Sequence, residues 1–112
     1  MAAKKKPYKL ATGTIVRLLY AAGYARRRDT RAAPSTPAGF AVSSSDYDPV
    51  IVNVAWRRPW PFAGTDEEEK AMRFARCKEY EAVLAPHYAV EFCTDSVGSN
   101  CWVAVRAQPA SP

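Results

Sequence analysis

At 112 residues, 48% of them apolar, the chain is long enough to close one hydrophobic core. Its three Trp, six Tyr and four Phe exclude a globally disordered chain, and it has no apolar run long enough to span a bilayer. The formal charge of +5 is unevenly spread: residues 1–31 hold nine bases against one acid, Asp29, whereas the remainder holds seven against ten. Such a field attracts polyanions without specifying a fold.

Residues 1–9 contain Lys4, Lys5, Lys6 and Lys9 with Pro7 and no apolar periodicity, and read as a basic, flexible arm. A charged start of this kind resembles the head of an export signal. The following stretch Leu10–Tyr24 is interrupted by Gly13, Arg17 and Gly23, so a cytoplasmic address is expected. Ile15, Val16, Leu18, Leu19 and Ala22 form a stripe at helical spacing and predict a helix over 13–22, with Thr12 as its N-cap. Gly23 is placed to turn left-handed and end it, and Tyr24 to fold back over its last turn.

Arg26, Arg27, Arg28, Asp29, Thr30 and Arg31 then read as a charged edge strand that leads into a loop at Pro34 and Pro37. Phe40 and Val42 alternate in a short strand, and a turn is expected over Asp46–Pro49. Val50–Trp56 is β-branched with period-two faces and predicts a central strand. The segment Arg57-Arg-Pro-Trp-Pro-Phe62 is irregular because of its two prolines. Thr65 with Glu68 forms a capping box for a helix that Pro86 stops, supported by the Asp66–Lys70 and Glu69–Arg73 spacings. Tyr88–Thr94 and Cys101–Arg106 read as a hairpin, and residues 108–112 as a small polar tail.

The expected architecture over residues 10–107 is one α+β domain. It has a four- to five-stranded, mostly antiparallel sheet with two helices on one face, in the order α-β(-β)-β-α-β-β. Both helices end at a breaker followed by tyrosine, at Gly23-Tyr24 and Pro86-His-Tyr88, a pattern that any alternation of helices and hairpins also produces.

Three cysteines, an odd number, fit a reducing compartment in which each is a small buried hydrophobe. Cys93 and Cys101 are equidistant from a turn centred near Val97 and so are candidates to face each other across the hairpin. Cys77, His87, Cys93 and Cys101 lack the close ligand pairs of a zinc site, and no metal or cofactor is implied. The chain has no phosphate-cradling glycine loop, nucleotide fingerprint or paired-carboxylate motif. The reading is therefore a non-catalytic protein.

Two features carry the functional expectation. The Lys4–Lys9 arm and the Arg26, Arg27, Arg28 and Arg31 run suit phosphate oxygens, and Arg57, Arg58 and Trp60 interleave cations with an aromatic in a proline-stiffened loop. Together they predict an accessory protein that binds nucleic acid, DNA or RNA, without catalysis. The alternative is a protein-interaction or assembly subunit. Such a subunit would be a component of a larger particle or an inhibitor of an acidic partner, anchored on an acidic protein surface by the arm and the Trp60 loop. Neither reading involves a membrane.

Overall fold

The computed structural model describes residues 10–27, 35–45, 47–48 and 50–108. The arm, Arg28–Pro34 and the last four residues lie outside them. The element order is α1 (Thr12–Ala21), β1 (Gly39–Ser44), β2 (Val52–Arg57), α2 (Asp66–Leu84), β3 (Ala89–Thr94) and β4 (Cys101–Arg106). This is the expected α+β arrangement with four strands, all pairs antiparallel, in the spatial order β1-β2-β4-β3.

Helix α1 begins one residue earlier than its sequence suggests. Ala11 is the extended N-cap and supplies no side-chain hydrogen bond, and Thr12 already lies in the first turn. Burial of Ile15, Val16 and Leu19 against the sheet holds this helix, and its N-terminal amides have no side-chain acceptor at the cap. Its other end follows the expected chemistry. Gly23 has φ +95°, its N–H donates to Tyr20 O at 2.9 Å, and the Tyr24 N–H donates to Leu19 O at 3.0 Å. The turn delivers Tyr24 edge-on to Tyr80, with centroids 5.2 Å apart, and Tyr80 stands edge-on to Phe40 in turn.

The chain then crosses β1 at Gly39. A Cβ there would lie 2.5 Å from the Arg27 nitrogen, so only glycine admits the crossing. Arg26 makes a single parallel bridge to Phe40, through Arg27 N–H to Phe40 O and Phe40 N–H to Ala25 O. The expected edge strand is thus one bridge among the described residues. The β2 strand starts at Val52, two residues later than its β-branched run. Asp48 explains the delay, because its carboxylate and carbonyl accept from the Val50 and Ile51 amides and hold both residues in the turn.

Thr65 caps α2, its Oγ1 accepting from the Glu68 N–H at 3.2 Å, with acids Asp66–Glu69 at the positive end of the dipole. The Glu69–Arg73 pair forms at 2.7 Å, while Asp66–Lys70 is not among the ion pairs of the described residues. Cys77, Tyr80 and Leu84 form the buried line of this largely exposed helix. It meets α1 and strands β2, β3 and β4, so both helices share one face of the sheet. On that face Phe40, Val52, Val54, Trp56, Cys101, Val103 and Val105 complete the core.

The hairpin register corrects the cysteine expectation. Cys93 pairs with Trp102 and Thr94 with Cys101, so the turn is centred between Val97 and Gly98. That half-residue displacement puts Cys93 on the face opposite Cys101, and all three cysteines are free thiols. Asp95 fixes the turn by accepting from the Ser99 N–H and Oγ at 2.8 and 2.7 Å, and these bonds hold its carboxyl below the usual range.

Candidate nucleic-acid interface

The β2–β4 ladder runs from Val52↔Val105 to Val54↔Val103. Beyond it, β2 continues through Trp56 and Arg57 paired with β1 alone, while β4 turns away into the hairpin loop at Asn100. The sheet opens between them. Cys77 from α2 packs at the opening on the core side, its thiol donating to Cys101 O at 3.7 Å. Burial, reinforced by the adjacent Cys101, pushes the Cys77 thiol up from 9.0 to about 12, so it stays protonated as a donor there.

At this opening lies a groove of about 470 Å³. Ala55, Trp56 and Asn100 are part of its wall, and among the described residues four arginines, Arg27, Arg57, Arg58 and Arg73, line it with one acid, Glu69. The arginines arrive by three routes. Arg57 and Arg58 are carried there as β2 runs out, and Arg57 has no ion pair among the described residues. Arg27 comes from the bridge across Gly39, its guanidinium donating to the Arg58 carbonyl and, at 3.5 Å, to Pro37 O. Arg73 comes from the second turn of α2 and reaches the Ser99 carbonyl at 3.2 Å.

Glu69 is half of the local helix pair and also a tertiary link. One of its oxygens lies 2.7 Å from Arg73 and the other 3.4 Å from Arg58. Its side chain is 15% exposed, so the three charges form a partly desolvated network in which one carboxylate serves two guanidinium groups. Among the described residues the lining holds four arginines and one glutamate, a surplus of three positive charges, and guanidinium groups are suited to anionic oxygens.

Of the residues expected from sequence, the structure brings Arg27, Arg57 and Arg58 together. Arg26 remains exposed and does not line the groove. Trp60 does not line the groove: it lies two residues along the chain from Arg58, with its backbone paired to Thr36 in both directions at 2.7 and 2.8 Å, and is 57% exposed. Lys4, Lys5, Lys6, Lys9, Arg28 and Arg31 lie outside the described residues. Sequence reasoning missed Arg73, Glu69 and Asn100 as parts of a site. The Glu69–Arg73 spacing was visible, but an i,i+4 pair reads as helix support and gives no sign of a third partner.

The described residues contain no cluster of His, Cys, Asp and Glu that could hold a metal ion, and no helix long and apolar enough to cross a membrane. No family model, curated protein or solved structure gives a significant match to the chain.

Proposed function

We propose that this protein is a non-catalytic nucleic-acid-binding accessory protein that acts in the cytoplasm and holds the phosphates of DNA or RNA in the arginine groove. The observation that carries the reading is the convergence of Arg27, Arg57, Arg58 and Arg73, from three separate stretches of structure, on one concave surface whose described lining holds a single carboxylate, Glu69. Arginine forks match phosphate oxygens in geometry and charge, and a surplus of cations is held together at an energetic cost unless an anion relieves it. Lys4, Lys5, Lys6, Lys9, Arg26, Arg28 and Arg31 extend the same positive field along a bound chain.

The test is binding of purified, nuclease-treated protein to labelled oligonucleotides across a salt series. Four phosphate contacts predict that log affinity falls against log salt with a slope of about −3 to −4. Arg57→Ala and Arg58→Ala should each weaken binding and make that slope shallower by about 1. Absence of binding at low salt overturns the reading.

The exposed Trp60 favours a second one, an assembly subunit that anchors on an acidic protein surface. That reading predicts a partner whose capture depends on Trp60 and responds only weakly to salt.

A further inference from the structure

Trp60 is the largest side chain the fold leaves mostly in solvent, and it follows the groove-lining Arg58 by two residues. Exposure of an indole forgoes the burial that ordinarily stabilises it, and the local structure is built to keep it exposed. Pro59 and Pro61 bracket it, and its main-chain N–H and C=O are both taken by Thr36, a residue only 8% exposed. The indole is therefore presented from a backbone fixed on both sides, which lowers the ordering cost of any contact it makes. Arg58, two residues away, opens onto the groove, so an aromatic plane and a cluster of guanidinium groups lie within reach of one flexible strand.

We propose that Trp60 is a base-stacking platform and that the protein consequently prefers single-stranded to double-stranded nucleic acid, an inference that rests on the nucleic-acid reading above. An indole stacks on a base only when the base is out of the duplex. Two further features point the same way. The arginines line a concavity of about 470 Å³, into which a flexible strand can bend its phosphates, whereas a stiff duplex meets such a hollow at its rim. Neither helix offers an uncompensated basic face to a major groove: α1 has Arg17 alone, and on α2, whose first turn is Asp66–Glu69, Arg73, Arg76 and Lys78 are each paired with a glutamate of the same helix.

The experiment compares oligothymidylate and oligouridylate of about 12 nucleotides with a mixed-sequence duplex of the same length, a size within the usual range for such sites. Wild-type protein, Trp60→Ala and Trp60→Phe are each measured at one moderate salt concentration and then across a salt series. The single strands should bind at least about tenfold more tightly than the duplex. Trp60→Ala should lose about 5- to 100-fold on the single strands, Trp60→Phe should keep most of the affinity, and neither should change the salt slope.

The backbone bonds to Thr36 do not involve the indole, so both variants should retain the native circular dichroism spectrum. Equal or tighter binding of the duplex, or unchanged single-strand affinity in Trp60→Ala, overturns the stacking inference and leaves the arginine groove standing. Failure of wild-type protein to bind any of the three probes removes the nucleic-acid reading and this inference with it.

Discussion

The two ends of the β2–β4 pair are built on opposite principles. At the end formed by Val52, Val54, Val103 and Val105 the ladder is intact and these side chains are almost wholly buried under the helices. At the other end the strands part, a buried thiol donates to the Cys101 carbonyl, and arginines gather around the opening. Helix α2 spans both, with Leu84 at the closed end and Glu69 and Arg73 at the open one. The difference teaches that one continuous sheet can separate stability from recognition along its length. The closed end excludes water. The open end trades rungs for a charged hollow that polar ligands can enter.

The sharpest way to break the comparison is to damage the closed end alone. Leu84→Ala removes a fully buried side chain from the C-terminal turn of α2 and should cost about 2–5 kcal/mol, read as a lower midpoint in urea denaturation. Oligonucleotide affinity, measured where the variant remains folded, should stay unchanged. An equal loss of affinity would show that the two ends are not separable.

A smaller effect is expected at Cys77, the thiol that packs at the opening. Cys77→Ala removes the buried sulfur that donates to the Cys101 carbonyl and should cost about 1–3 kcal/mol at neutral pH. The thiol also makes stability depend on pH. Its folded pKa of about 12 lies above its ordinary 9.0, so its contribution is complete below pH 9 and is lost as pH rises from 9 towards 12. Burial raises the Tyr80 phenol as well, and that group contributes in the same direction. Thermal melts between pH 8 and 11 should therefore fall for both proteins, less steeply for Cys77→Ala. Parallel curves would contradict the assignment of the slope to this thiol.

These contrasts also explain what could be read from the sequence. The α2 N-terminus was legible because Thr65 and Glu68 do their chemistry within one turn, and the left-handed Gly23 because it closes bonds to residues three and four back. The central strand followed from the β-branched run, but its start did not, because Asp48 competes for the Val50 and Ile51 amides. The cysteine register failed on one residue: period-two geometry turns a small error in the turn centre into the wrong face.

For the site, Arg57 and Arg58 stood out as a pair, whereas their meeting with Arg27 and Arg73 depends on where β2 and β4 part. That point is not marked by the pattern of either strand, and the residue that meets Cys101 there, Cys77, lies on a helix more than twenty residues beyond Trp56.

The smallest expected change tests the open end by adding to it. Among the described residues Glu69 is the one carboxylate lining the groove, and on the proposed reading it competes with an incoming phosphate for Arg58 and Arg73. Glu69→Gln keeps the shape and a hydrogen-bonding oxygen but removes the fixed negative charge from beside Arg58 and Arg73. The loss of a partly exposed ion network should lower stability by no more than about 1 kcal/mol, so the fold persists. Affinity for an oligonucleotide should rise a few-fold, and its dependence on salt should steepen, because more charge is then neutralised by the ligand. Inorganic phosphate should compete more effectively with the variant than with the wild type. If Glu69 instead serves to position the arginines for binding, Glu69→Gln will weaken binding at unchanged stability. The direction of that single change therefore distinguishes a carboxylate that holds the groove in reserve from one that shapes it.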